Sequence, residues 1–386
     1  MDTLDLARLQ FAVTTSFHFL FVLLTLGLVT LIVVMQTRFT LTRAPVHERM
    51  TKFWGRIYVI NYALGIVTGV VMEFQFGLNW SGLASYAGDV FGAPLALETL
   101  VAFFLESTFL GLWIFGWGRL NRWVHLALIW LTALTAYASA FWIMAANGFL
   151  QHPVGYEERD GVLRLVDFGA LLTNPTFGTA LTHVVFAALT TGGVFVTGVS
   201  AYHFIKCTGE VEFFRRSLRL GVVVTAVATP FLIGAGFGQF PIIGTYQPHK
   251  EDAAPWLGVP LGFMILIGMS LLLASWAAVP LLFRDWVIRM RFPLYLMVIG
   301  IPLPFCAAIF GWLFREIGRQ PWLVYGLLRT EDAVSHVSAA SMTTSLVVFS
   351  SMFLLLAVTD WALIARAVRS GPETTPRPIA PLVVSL

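Results

Sequence analysis

The sequence predicts an all-α polytopic membrane protein with nine transmembrane helices, its N-terminus outside and its C-terminus in the cytoplasm. Three observations predict it. Hydrophobic residues make up 58% of the 386 and charged residues 12%, about half the charged share of a soluble domain. Apolar stretches of roughly 20 residues, enough to cross about 30 Å of hydrocarbon, recur along the chain. Basic residues gather in alternate connections between them. The same composition excludes a soluble enzyme and a disordered chain, and no nucleic-acid partner is expected.

The first span is expected near Ser16–Met35. Asp2 and Asp5 precede it and no small-residue cleavage site follows, so it does not read as a signal peptide. Arg38, Arg43, Arg49 and Lys52 follow it. Phe53–Phe76 returns outward to a connection without basic residues, and Ala93–Trp117 runs inward to Arg119 and Arg122. Trp123–Asn147 leads to the outer segment Gly148–Asn174, with Arg159 and Arg164. Thr179–Phe204 ends at Lys206, Arg215, Arg216 and Arg219. Leu218–Phe237 reaches the outer segment Gln239–Leu257, where Lys250 is the one basic residue. Val259–Phe283 ends at Arg284, Arg289 and Arg291. Pro293–Phe314 opens into Arg315–His336, and Val337–Ala365 ends at Arg366, Arg369 and Arg377. The richer side is cytoplasmic by the positive-inside rule. Lipid offers no water to an open backbone, so each span must be helical. Residues 1–370 read as one membrane domain with a short outer loop at 239–258 and a flexible cytoplasmic tail at 371–386.

An ionisable side chain in hydrocarbon needs pairing, hydration or ligation. Of eight histidines, His47, His152, His249 and His336 fall in loops or at helix ends, and His125 and His203 near inner ends. Only His18 and His183 come early in otherwise apolar helices, both near the outer face. Span 3 adds Glu98 and Glu106, within about 80° of each other and roughly 12 Å apart in depth. Span 2 ends in Glu73, span 7 begins with Met264, and span 8 ends in Trp312, Glu316 and Arg319. Several helices thus deliver His, Met, Glu or Arg to a similar outer depth, a pattern that suits haem ligation. No Cys-x-x-Cys-His is present for a c-type haem, and Cys207 and Cys306 cannot build a disulfide framework. Each residue also has a plainer reading. Met264 is one of 11 methionines and suits core filling. Glu316 and Arg319 suit an interfacial ion pair, and Glu73 could reach the surface. A haem-free proton-coupled transporter using Glu73, Glu98 and Glu106 is a further alternative.

At these residues the chain resembles subunit I of the cytochrome bd family of terminal oxidases. The resemblance is carried by Arg8-Leu9-Gln10-Phe11 with Phe17-His18-Phe19-Leu20, and by Met50-Thr51-Lys52-Phe53-Trp54-Gly55. Met72-Glu73-Phe74-Gln75-Phe76-Gly77, Phe91-Gly92-Ala93-Pro94-Leu95-Ala96 and Ala102-Phe103-Phe104-Leu105-Glu106-Ser107-Thr108 follow. Later come Ala146-Asn147-Gly148, Leu181-Thr182-His183, Ile301-Pro302-Leu303-Pro304 and Gly318-Arg319-Gln320-Pro321-Trp322.

The resemblance implies a bacterial inner-membrane oxidase with two b-type haems and one d-type haem, which reduces oxygen to water with electrons from quinol. It implies a second polytopic subunit, subunit II. His183 and Met264 match the axial pair of the low-spin haem b, with the family's Met-x-x-x-Gly kept as Met264 and Gly268. The arginine usual two residues before that methionine is Gly262 here. His18 matches the ligand of one high-spin haem, with Glu98 beside it. Glu316 matches the ligand of the other, supported by Trp312 and Arg319. The resemblance leaves open which high-spin site holds haem d. Arg8 and Glu73 join the cofactor environment, and Glu106, Ser107 and Ser139 fit a route for protons. One departure concerns the donor. The family's quinol loop carries Lys-x-x-x-x-Glu; here Gln247-Pro248-His249-Lys250 is kept but Pro255 replaces the glutamate. Quinol chemistry needs a base, for which His249, Glu251 or Asp252 are the candidates. The alternative is a related haem protein that takes electrons from another donor, or reduces or senses another small ligand.

Overall fold

The computed structural model describes residues 2–250 and 255–373. Among these, nine helices are long and apolar enough to cross a membrane: α1 (Thr3–Thr42), α2 (Pro45–Asn79), α3 (Ser81–Phe115), α4 (Arg122–Gln151), α5 (Pro175–Ile205), α6 (Val211–Tyr246), α7 (Gly258–Leu281), α8 (Arg291–Ile317) and α9 (Ala339–Ser370). Each expected span falls on one of them; Ala93–Trp117 and Val259–Phe283 run two residues past the helix end, and Val337–Ala365 starts two residues before it. The all-α class with nine apolar helices is the one the sequence predicts.

α1 is the hub, packed against α2, α4, α5 and α9. Its apolar stripe, with Leu24, Leu28, Leu31 and Ile32 fully buried, meets Trp54, Ile57 and Tyr58 of α2 and Phe195 and Val196 of α5. α1 and α5 run in the same direction and touch backbone to backbone. A Cβ on Gly27 would sit 2.2 Å from the Ala188 carbonyl oxygen and 2.8 Å from the Gly192 Cα. Only glycine permits that approach.

Four details depart from the sequence expectations. α3 begins at Ser81 rather than near Ala93. Its extra turns bury Leu83, Val90 and Phe91 in a second, outer core, a tertiary gain that the glycine-rich segment conceals locally. Near Pro94, whose missing N–H interrupts the ladder, α3 changes to a π-turn over Glu98–Phe103. The expected outer segment after span 6 is helical over Gln239–Tyr246. α8 is broken between Ile299 and Leu303, at Gly300 and Pro302. The remaining outer segments form an ordered cap. In it β1 (Tyr156–Arg159) pairs with β2 (Val162–Leu165) through an Asp160–Gly161 turn, and β3 (Trp322–Val324) pairs with β4 (Leu328–Arg329). Leu163, Val324 and Leu328 of these hairpins join the outer core with Leu6 and Phe149. Residues 374–386 of the expected tail lie outside the described residues.

Candidate functional site

The site is built from His183 upward. His183 Nδ1 donates to the Leu232 carbonyl at 3.0 Å. That bond fixes the proton on Nδ1 and leaves Nε2 as a lone-pair donor, the form in which histidine binds a metal. His183 and Met264 line one cavity between α5, α6, α7 and α8, which holds about 1340 Å³ of empty space including its open mouth. Two glycines make room for the pair. A Cβ on Gly311 would meet Met264 Sδ at 2.5 Å, and one on Gly236 would meet the His183 ring at 3.1 Å. The walls are otherwise apolar: Phe19, Leu23, Val184, Leu261 and Trp312. A large flat apolar cofactor with one His and one Met ligand fits this space.

One end of the cavity is cationic, where Lys250 and Arg315 line it. Lys250 is 4% exposed. Its Nζ donates to the Arg315 carbonyl at 2.9 Å and to Gln247 Oε1 at 3.2 Å. Burial, then the Arg315 charge, pushes the lysine down to about 7. Gln247 is held in turn by its amide donating to the Gln151 carbonyl at 2.6 Å. His249 faces the cap, its Nδ1 2.8 Å from the Tyr325 hydroxyl. Of the expected donor residues, Glu251 and Asp252 lie outside the described residues.

Glu316 is buried in a full shell of donors. Its Oε1 accepts from Asn147 at 3.0 Å and Gln151 at 3.1 Å, and its Oε2 accepts from Arg319 at 2.6 Å. A carboxylate offers about four lone-pair positions, so one on Oε2 is left for a further partner. Trp312, one turn earlier on α8, packs on Phe19 of α1 with ring centres 5.2 Å apart. It joins the His183 cavity to the neighbourhood of His18.

His18 repeats the logic of His183. Thr68 donates its hydroxyl to the Gly65 carbonyl at 2.6 Å, so its oxygen accepts from His18 Nδ1 at 2.8 Å. Nε2 is again left free. His18 and His183 each precede the Gly27–Gly192 contact by nine residues, roughly two and a half helical turns. They therefore stand at one height on parallel helices and face away from each other, His18 toward α2 and His183 toward α6.

The remaining expected residues fall into two groups. Thr99 donates to Glu73 at 2.6 Å and lies 3.2 Å from Glu98, and Ser139 of α4 donates to Glu98 at 2.5 Å. Glu106, 5% exposed, accepts from Tyr58 at 3.4 Å, and Ser107 lies 3.3 Å from the Tyr62 hydroxyl. Glu98 and Glu106 face the bundle along α3, the first at the π-turn. Arg8 donates to Thr330 at 2.6 Å. Among the described residues no three His, Cys, Asp or Glu side chains converge on a single point.

Among the described residues several buried donors have no partner: Arg8 Nε, Gln10 Nε2, Gln75 Nε2, Asn79 Nδ2 and Arg319 Nη1. Orphaned buried donors are rare and call for an unseen acceptor. Haem propionates would provide acceptors for them. By contrast His125 and His203 are structural. His125 accepts from Gln36 and donates to the Trp113 carbonyl, and His203 donates to the Val368 carbonyl.

With this geometry in hand, the family profile of cytochrome bd terminal oxidase subunit I matches residues 6–258 and 255–372. This chain belongs to that family. The two matched stretches meet at the short outer segment. Cytochrome bd ubiquinol oxidase subunit 1 of Bacillus subtilis (strain 168) is 37% identical over 445 aligned positions, 97% of this chain and 95% of that one. Cytochrome bd-II ubiquinol oxidase subunit 1 of Escherichia coli (strain K12) is 44% identical over 254 positions, 65% of this chain and 47% of that one. The structure of bd oxidase from Geobacillus thermodenitrificans superposes with a TM-score of 0.90 at 24% identity, covering 96% of this chain and 99% of that chain, which shows a shared fold. As a member of the bd family, the chain is a multi-pass protein of the bacterial cytoplasmic membrane, an oxidoreductase subunit of respiratory electron transport, and a haem protein.

Sequence reasoning passed over several residues that shape the site. Thr68, Leu232 and Gln151 act by orienting a ligand, and only packing reveals them. Arg315 reads in the sequence only as the first residue of an outer segment. Asp360 had a visible signal, a lone acid inside a long apolar helix; it is 1% exposed, and its Oδ1 has no partner among the described residues.

Proposed function

We propose that the chain is the haem-bearing subunit of a quinol:oxygen oxidoreductase, with its N-terminus outside and its C-terminus cytoplasmic. His183 and Met264 would hold a low-spin haem b; His18, with Glu98 near, and Glu316, with Trp312 and Arg319, would each hold a high-spin haem, one of type b and one of type d. When bound, the haems carry electrons and reduce oxygen to water. The observation that carries this reading is the pair of histidines whose Nδ1 protons are committed to Leu232 and Thr68, one of them lining an apolar cavity together with a methionine.

The protein's part is to orient and to deliver protons. Glu316 is held rigid by three donors, so its free lone pair points one way. Glu106, Ser107 and Ser139, with Glu98 and Glu73, supply exchangeable protons from the inner half of α3 toward the outer layer. Protons taken from the cytoplasm and released outside on quinol oxidation would build a gradient without a pump. A second polytopic subunit would cover part of the exposed apolar surface.

A specific observation keeps a second donor in view. Lys250, expected in the quinol loop, has its ammonium turned inward onto the Arg315 carbonyl. The chain could therefore take electrons from a donor other than quinol. A reduced-minus-oxidised spectrum of the purified oxidase with quinol as donor tests both readings. Reduction of the low-spin and high-spin bands by quinol supports the first. Reduction by dithionite but not by quinol would favour the second. A blank pyridine haemochrome assay would remove both.

A further inference from the structure

The connection between α7 and α8, residues 282–290, is a tight turn with two unlike sides. Arg284 and Asp285 have φ values of 52° and 58°, a left-handed conformation that residues with a Cβ rarely adopt twice running. Two pins hold it. The Asp285 carboxylate accepts from Arg215 at 3.1 Å and from Arg219 at 2.8 Å, both on α6, and Arg219 also donates to the Leu282 carbonyl at 3.2 Å. Val287 is buried in a cluster with Leu218 and Val222 of α6 and Leu294 of α8. While Asp285 and Val287 are held against α6, Phe283, Arg284, Trp286 and Arg289 are exposed. Arg291 and Phe292, which open α8, are exposed as well.

The nearby acids are already taken. Glu212 pairs with Arg215 and Arg216, and Asp285 with Arg215 and Arg219. Among the described residues Arg284, Arg289 and Arg291 have no acidic side chain in salt-bridge range. Glu251 and Asp252, outside the described residues, precede α7 at its opposite end, and no Asp or Glu follows Glu373 in the sequence. The Arg284 guanidinium lies 5.4 Å from the centre of the Phe283 ring. In water this surface would expose the rings of Phe283, Trp286 and Phe292; in hydrocarbon it would strand the guanidinium groups. The boundary between the two suits both. Aromatic rings collect there, and arginine binds phosphate through paired N–H donors. The turn joins two helices long and apolar enough to cross a membrane, which sets it at that boundary.

We propose that this turn seats the headgroup of an anionic phospholipid, with Arg284, Arg289 and Arg291 around the phosphate and Phe283, Trp286 and Phe292 among the upper acyl carbons. The pins on Asp285 and Val287 make it a fixed site, distinct from a merely basic rim. In the orientation proposed above it lies in the cytoplasmic leaflet. It owes nothing to the proposed haem ligands, so its failure would leave them untouched.

The test is native mass spectrometry of the purified intact oxidase, titrated in micelles with dioleoylphosphatidylglycerol or with dioleoylphosphatidylcholine. The parent should bind the anionic lipid more tightly than the zwitterionic one at its first site. Arg284→Asn, whose new side chain tolerates positive φ, and Arg289→Gln should each weaken the anionic lipid about fivefold. Trp286→Ser leaves every charge in place and should weaken both lipids. Arg122→Gln removes a cation from a different connection on the same side and should change little. Inorganic phosphate should not displace the bound lipid. Equal losses in Arg289→Gln and Arg122→Gln would reduce the effect to general surface charge and overturn the proposal. Unchanged affinity in all the variants at the turn would do the same, as would displacement by inorganic phosphate alone. Unchanged lipid affinity with loss of another subunit from the oxidase would assign the surface to an acidic protein partner instead.

Discussion

The Leu232 carbonyl oxygen lies 3.0 Å from His183 Nδ1. That contact commits the imidazole to the tautomer whose Nε2 lone pair faces the cavity. His183→Ala should abolish the low-spin haem spectrum while the chain still inserts into the membrane, checked by visible spectroscopy of membranes of equal protein content. An unchanged spectrum would contradict the ligand assignment.

Gly311→Ala should displace Met264. A methyl group there would sit 2.5 Å from Sδ, while alanine in a helix is otherwise favoured over glycine by about 1 kcal/mol. The expected result is a protein at least as helical as the parent whose low-spin band has weakened toward a high-spin form. Magnetic circular dichroism would reveal the change. A low-spin band of full strength would show that the sulfur does not need that space.

Glu106→Gln should slow oxygen reduction by roughly 10² or more, in the range for loss of a positioned proton carrier, with the haem bands intact. Tyr58→Phe should cost far less, because its bond to Glu106 is long at 3.4 Å. Oxygen-electrode turnover at matched haem content separates the two. Equal effects would argue that the tyrosine is itself part of the route.

Lys250 ties stability to pH. Its folded value of about 7 lies below the ordinary 10.5, so between these values the unfolded chain binds the extra proton. Stability of the haem-depleted chain should then rise with pH through that window and carry its full penalty below about 7. Thermal unfolding across the window should show the rise, and Lys250→Met should flatten it.

Among the described residues Asp360 keeps a buried carboxylate oxygen without a partner, an arrangement that costs about 1–3 kcal/mol. Asp360→Val should raise the apparent melting temperature of the purified protein. A fall, or loss of turnover in a well-assembled variant, would show that the acid has a working role.

Much of this architecture was legible in the sequence because lipid reduces the problem to length and hydropathy. The spans around His18 and His183 stand out for that reason, as does the isolation of both histidines among apolar neighbours. What could not be read is tertiary. The early start of α3 depends on Leu83 and Phe91 finding the cap. The inward turn of Lys250 depends on a carbonyl of α8, 65 residues away in sequence. Two of the three donors around Glu316 come from α4, and nothing in the local pattern of Asn147 or Gln151 announces that use.

The meeting of Gly27 with Gly192 has a consequence for electron flow. On the ligand assignment proposed above each of these rods would carry a redox centre, electron exchange between such centres falls steeply with their separation, and no side chain intervenes between Gly27 and Gly192. A single added methyl group at either glycine would wedge the rods apart and on that assignment would slow the exchange, although it touches neither proposed ligand.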